Sequence, residues 1–166
     1  MSAPQGILRV RQDGRTVSFQ VEGQATVLQG LTLRRFAEQY LATDVTCLRV
    51  ELRRCTWMDS TFVGTLLLLW RALERREQGE FVLVSPSPES RRLLRQMGID
   101  KICSFRDEEL SADGWADVEH SPQGEDEFRC NVLQAHQELA ELPGPTGETF
   151  RQVVRCVNAS KPGGTV

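Results

Sequence analysis

The sequence predicts an α/β fold, a mixed β-sheet covered by helices, with a C-terminal helical appendage. Apolar residues alternate with polar ones near the N-terminus, short apolar runs then alternate with helical segments, and an acidic stretch follows residue 106. The 166 residues are 40% hydrophobic and 26% charged, which is ordinary for a globular protein. The length therefore suits one core-forming domain plus an appendage.

A β-hairpin is predicted at the start of the domain. Alternating apolar residues in 7–11 and 16–22 indicate two strands, and Asp13-Gly14 between them is typical of a tight turn. The segment 31–42 has apolar residues at helical spacing, which predicts an amphipathic helix.

A third strand and a buried helix are predicted next. Residues 46–53 alternate cleanly between apolar and charged side chains. The segment after Ser60 is apolar nearly all round, so we expect a largely buried helix that ends at Gly79.

The domain is predicted to close with strand, helix and strand. Residues 81–84 are a continuous apolar run, as in a strand covered on both faces. Ser87-Pro88 favours a helix start and Gly98 a helix end, and 102–105 is predicted to be a last short strand. Because helices connect these strands, parallel pairing is expected after the hairpin.

Composition divides the chain further. We predict a domain over 1–106, an acidic linker over 107–128, a helical hairpin over 129–158 and a flexible tail over 159–166. Two short helices cannot hold each other together, so the hairpin must pack on the domain or on another chain.

Charge and composition argue against several classes of protein. The net charge of −3 gives no reason to expect direct nucleic-acid binding. Five dispersed cysteines and two histidines show no metal-ligand spacing, and we expect neither metal nor cofactor. The N-terminus does not resemble a signal peptide, and the longest apolar run is too short for membrane insertion, so a cytoplasmic protein is expected.

No catalytic constellation is visible, and we expect a protein that is not an enzyme. The sequence contains no nucleophile elbow, phosphate-binding loop or dinucleotide fingerprint. Both histidines lie in or beyond the linker, so a Ser/His/Asp arrangement would require the appendage to fold over Ser60.

The most informative segment is Asp59-Ser60-Thr61, between a strand and the apolar helix. Helix capping is the simplest explanation for such residues. A serine exposed at this junction would also lie beside free N–H groups at the positive end of the helix dipole. A phosphate there would add a strongly hydrated dianion to a small surface, which favours a phosphorylation switch.

Residues 7–105 resemble a STAS domain of the bacterial anti-sigma factor antagonists. The segment 58–64 aligns with the Asp-Ser-Ser/Thr-Gly-Leu-Gly motif of that family, with Phe62 in place of the usual glycine. The resemblance implies partner switching: an anti-sigma factor that is also a serine kinase binds the protein and phosphorylates Ser60, and a serine phosphatase reverses the modification. Partner contacts are then expected from Asp59, Thr61, Phe62 and Gly64.

Other functions stay open at this level. A STAS subunit without phosphorylation could act as a scaffold in a larger signalling or lipid-transport assembly, and the bulky Phe62 favours this slightly. A small-ligand sensor would need a pocket lined by the appendage. Oligomeric state, the pathway and the role of the C-terminal helices are not fixed by the sequence.

Overall fold

A six-stranded mixed sheet is the centre of the fold. The computed structural model describes residues 5–120 and 124–159. The strands are β1 (Ile7–Asp13), β2 (Thr16–Ala25), β3 (Cys47–Met58), β4 (Glu80–Val84), β5 (Ser104–Arg106) and β6 (Ala116–Asp117). Their order is β5-β4-β3-β2-β1-β6, with β1 antiparallel to β2 and β6, and the remaining pairs parallel. The predicted α/β class and mixed sheet are confirmed.

The described residues form five α-helices beside the sheet. They are α1 (Val27–Leu41), α2 (Ser60–Glu74), α3 (Pro88–Gln96), α4 (Glu125–Ala140) and α5 (Gly144–Ala159), and a short 3₁₀ helix spans Ile99–Lys101. Ser87 caps α3 as predicted, accepting a hydrogen bond from the Ser90 N–H at 3.1 Å. Gly98 ends this region in a left-handed conformation, with φ of 80°.

One face of the sheet forms the main core. Alternate residues of β1, β2 and β3 point to this face, and α1 and α2 pack on it, with side chains that include Phe19, Leu33, Leu48 and Leu66 completely buried. The other face carries mainly polar side chains on β1, β2 and β3, and the segment after β5 partly covers it. Arg49 pairs there with Glu108, and the guanidinium of Arg11 lies 5.4 Å from the centre of the Trp115 ring.

Some boundaries differ from those predicted. Helix α1 begins at Val27 rather than 31, because Thr26 and Gln29 form a reciprocal capping box. Helix α2 ends at Glu74, not at Gly79. Gly79 is needed for close approach instead, since a Cβ there would lie 2.0 Å from the Leu73 carbonyl oxygen.

The region predicted as a linker is more structured than expected. Strand β6 lies within it and extends the sheet beside β1, where the Arg9 guanidinium pairs with Asp117 at 3.1 Å. Helix α4 begins at Glu125, earlier than the predicted 129. The proposed division into domain, linker and hairpin remains a prediction, and nearly all of the predicted tail lies outside the described residues.

The α4–α5 hairpin packs on the domain, chiefly through α4 against α2. Residues 141–143 connect the two helices, since α4 ends at Ala140 and α5 begins at Gly144, and Leu139 and Leu142 join the main core. Across the described ranges, no helix combines the length and apolarity needed to span a membrane.

Candidate functional site

Asp59 joins the amino ends of two helices. Its Oδ1 accepts a hydrogen bond from the Phe62 N–H at 2.8 Å, which caps α2. Its Oδ2 accepts from the Val27 N–H at 2.9 Å, the first residue of α1. The carboxylate therefore holds two helix starts together, at the end where the helix dipoles favour negative charge.

Ser60 is the first residue of α2, and its hydroxyl is occupied. The Oγ atom lies 3.1 Å from Nε2 of His136 on α4, and the residue is half-buried. The appendage thus folds over Ser60, the arrangement that the sequence offered no reason to expect. The prediction of a freely exposed serine is corrected accordingly: the junction is where predicted, but another helix partly covers it.

Thr61 and Gly64 also lie beneath α4. Thr61 is buried, and its hydroxyl lies 3.5 Å from Nε2 of His136. A Cβ at Gly64 would lie 2.3 Å from the carbonyl oxygen of Ala135, so glycine allows the two helix backbones to meet. Contact of these two residues with a partner stays a prediction, and it would require α4 to move.

Phe62 is a core residue. Its side chain is completely buried and packs toward Gly30 of α1. The structure therefore does not place Phe62 at the surface where a partner contact was predicted, and its aromatic ring is not the group that covers Ser60. The sequence alone could not show that Phe62 faces the core. In a helix that is apolar on all sides, the pattern does not indicate which way any one side chain points.

His136 is held in an environment that favours its neutral form. The residue is 9% exposed, and its ring lies 5.6 Å from that of Phe150 on α5. Burial lowers the pKa of His136, and the nearby Asp59 carboxylate only partly opposes this by raising it. Nδ1 of His136 has no hydrogen-bond partner among the described residues.

Charged side chains also hold α4 against α2, further toward the C-terminal end of α2. The Arg71 guanidinium donates to Glu138 and to Glu141, each at 2.7 Å. These carboxylates raise the pKa of Arg71, most strongly through the hydrogen bond that Arg71 donates to Glu138. Ser60, Gly64 and Arg71 all lie on the side of α2 that faces the hairpin.

The Ser60–His136 contact is not a hydrolase triad. A triad needs a carboxylate that orients the histidine through its second ring nitrogen. The Asp59 oxygens are instead bound to backbone N–H groups, and no described residue pairs with Nδ1 of His136. Residues 5–120 and 124–159 contain no group of ligating side chains able to hold a metal ion.

A polar cleft of about 490 Å³ lies elsewhere, on the far side of the sheet. It is lined by strand residues such as Arg9 and Arg53 and by the loop around Ser111 and Trp115. The appendage helices do not line it, so it does not provide the pocket that the ligand-sensor alternative required.

The prediction from sequence did not include the residues that cover the site. His136, Arg71 and Glu138 were not singled out, because nothing in a single sequence pairs a helix of the appendage with a particular helix of the domain. The one available signal was the spacing of Ser60, Gly64 and Arg71, which places a small residue between two polar ones along one helix face.

A model of the family described as "Mlab, STAS domain" matches residues 8–106, more than half of the chain. The chain belongs to the STAS domain family. The resemblance expected from residues 58–64 is thereby confirmed, and the matched range ends at the last residue of β5. The α4–α5 hairpin lies beyond the part of this STAS protein that the family model matches.

Solved structures similar to this STAS protein include anti-sigma factor antagonists. Unphosphorylated SpoIIAA is 24% identical with a TM-score of 0.53, covering 59% of this chain and 86% of its own. An anti-sigma factor antagonist from Mycobacterium paratuberculosis is 21% identical with a TM-score of 0.55, covering 64% and 90%. The Bacillus cell fate determinant SpoIIAA in its phosphorylated form is 24% identical with a TM-score of 0.50, covering 59% and 89%. Comparison with curated proteins gave no match.

Proposed function

We propose that this STAS protein is an anti-sigma factor antagonist that works by partner switching. In this proposal it is a non-enzymatic, cytoplasmic binding protein whose partner is an anti-sigma factor with serine-kinase activity. The observation that carries the proposal is Ser60, at the amino end of an apolar helix beside a cap that already favours negative charge. The antagonists among the similar structures, one of them in a phosphorylated form, support the same reading.

Ser60 is the better acceptor of the two neighbouring hydroxyl groups. Thr61 is buried beneath the hairpin, with its hydroxyl 3.5 Å from Nε2 of His136, whereas Ser60 is half-buried at the helix start. The partner kinase would transfer the γ-phosphoryl group of ATP to the Ser60 oxygen. The Oγ–P bond forms, the bond to ADP breaks and the hydroxyl proton leaves to the kinase's base.

The phosphate would act on docking rather than on the fold. It would carry about −1.5 to −2 charges next to the fixed carboxylate of Asp59. A partner seated over this junction would then have to desolvate two neighbouring anions, so the complex would separate. A metal-dependent serine phosphatase would restore the original state.

Mass spectrometry of the intact protein purified from its own host tests the proposal. We expect one added phosphate in some growth condition, lost in Ser60→Ala and kept in the control Thr61→Ser, which leaves a hydroxyl in the buried position. Ser60→Asp should weaken binding of the anti-sigma factor/serine kinase, and Ser60→Ala should preserve it. A phosphate that persists in Ser60→Ala, or none in any condition, would overturn the proposal.

A scaffold function is the second candidate, and a specific contact favours it. The Ser60 hydroxyl is hydrogen-bonded to His136 and partly covered, which suits a STAS subunit that is never phosphorylated. Such a subunit would belong to a larger signalling or lipid-transport assembly. The same mass measurement separates the candidates, since the scaffold predicts no phosphate in any growth condition.

A further inference from the structure

We propose that the α4–α5 hairpin is a reversible cap that controls access to Ser60. The regulatory meaning of this cap rests on the proposed function, in which Ser60 accepts phosphate. The cap itself is a statement about the conformation of this chain, and it is testable without any partner.

The docked hairpin obstructs the chemistry at Ser60. Nε2 of His136 lies 3.1 Å from the Oγ that would attack a phosphorus atom. One turn further along α2, the backbone of Ala135 lies against Gly64 so closely that a methyl group would not fit. A kinase must place its nucleotide in line with the hydroxyl oxygen and surround it with catalytic groups, so docking of α4 and phosphoryl transfer exclude each other.

The hairpin has features of an element that can leave. Two polar residues on its buried face, Asn131 and His136, each have a buried nitrogen without a hydrogen-bond partner among the described residues. Such groups regain their hydrogen bonds in water, which favours the open state. Helix α5 adds little to hold the hairpin, because Gly147 is the only one of its 16 residues that is buried.

Charge pairs at the edge of the contact provide the means to test the cap. Arg71 of α2 bonds Glu138, whose side chain is 14% exposed, and Glu141, which is 63% exposed. Reversing both carboxylates places three cations together and leaves the residues around Ser60 unchanged. The charge can then be restored from the other side by Arg71→Glu.

The experiment measures the accessibility of position 60 in the full chain. The thiol of Ser60→Cys is alkylated under native conditions, and labelling is followed on the tryptic peptide that contains it, with buried Cys55 in the same peptide as an internal reference. Adding Glu138→Lys and Glu141→Lys should accelerate labelling about tenfold, as expected for a loss of two charge pairs plus repulsion. Adding Arg71→Glu as well should return the rate to within about twofold of the starting value.

Glu125→Lys with Glu148→Lys is the matched control. The two substitutions reverse the same number of charges within the same α4–α5 hairpin. Glu125 pairs within α4, with Arg129 at 3.0 Å, and Glu148 is exposed on α5. The control should leave the labelling rate unchanged. Rescue by Arg71→Glu also distinguishes an opened hairpin from a misfolded chain, because a misfolded chain would not regain protection from one further charge reversal.

The outcomes separate the cap from the proposed function. Equal labelling rates in the docked and charge-reversed proteins would overturn the cap, even if Ser60 is phosphorylated in the host. Protection that is lost on reversal and regained on rescue would establish the cap, even if no phosphate is ever found. If both hold, the charge-reversed protein should carry more phosphate in the host than the parent, and an equal or lower level would show that the hairpin does not control access.

Discussion

Helices α2 and α4 are nearly equal in length but differ greatly in how they are held. Nine of the 15 residues of α2 are buried, and most are large and apolar. Helix α4 has 16 residues and buries four, of which Asn131 and His136 are polar and incompletely hydrogen-bonded. Burial of apolar area is the main stabilising contribution in both, so α2 belongs to the most stable part of the molecule and α4 to a part that opens more readily.

The same contrast applies to the candidate site, where one part of the molecule positions the residues and another part covers them. Asp59 and Ser60 are positioned by the domain core, through α2 and the end of β3. What covers them is positioned by a hairpin with a weaker hold. The site is therefore rigid in itself and variable in its exposure, a combination suited to control by competition.

The largest expected change in stability comes from truncating a buried leucine to alanine in each of the two helices. Leu66→Ala in α2 should lower the free energy of unfolding of the whole chain by about 2–5 kcal/mol, since a completely buried leucine leaves a cavity. Leu139→Ala in α4 should mainly lower hydrogen-exchange protection within the hairpin. Urea unfolding and hydrogen exchange of both variants test this, and an equal loss of global stability would remove the distinction between the helices.

Two glycines allow a second test of the same contrast. Gly64→Ala should separate α4 from α2 and cost about 1–3 kcal/mol, because the new methyl group meets the Ala135 backbone. Gly30→Ala in α1 is the matched variant: its nearest neighbour would be the Thr65 hydroxyl at 3.3 Å, which can shift slightly. Thermal unfolding and exchange protection of α4 should therefore change more in Gly64→Ala, and a larger effect of Gly30→Ala would contradict the helix contact described.

Acid should loosen the hairpin before the domain. The pKa of His136 is lowered when docked, so the open state binds more protons as pH falls below the value near 6.5 of an exposed histidine. Docking is thus strongest above that pH and is lost progressively below it. Exchange protection factors of α4 measured between neutral and mildly acidic pH test this, with His136→Phe as the variant expected to lose the pH dependence. Protection that rises on acidification would reverse the sign worked out here.

The smallest effect is expected for a charge pair that lies entirely within α4. Arg129→Ala removes the exposed pair with Glu125 and should change stability by no more than about 0.5 kcal/mol. A thermal unfolding midpoint close to that of the unmodified protein is the expected result. A large shift would mean that α4 depends on its own helical propensity rather than on its contact with α2.

The sequence predicted the domain well and the hairpin contact poorly, for one physical reason. Period and turn chemistry are local, so the β-hairpin at Asp13-Gly14, the cap at Ser87 and the junction at Ser60 could all be located. The orientation of one helix on another depends on contacts between residues far apart in the chain. Nothing local therefore indicated that His136 meets Ser60 or that Phe62 faces inward.

The double cap at Asp59 has a consequence for any molecule that visits this end of the sheet. With one oxygen bound to each of two helices, the carboxylate has no freedom to swing aside when another anion arrives. An approaching anion would therefore meet the full electrostatic repulsion of Asp59, because the carboxylate cannot rearrange to reduce it. A single acidic side chain thus fixes the starts of two helices and also maintains a permanent negative charge at the surface beside them.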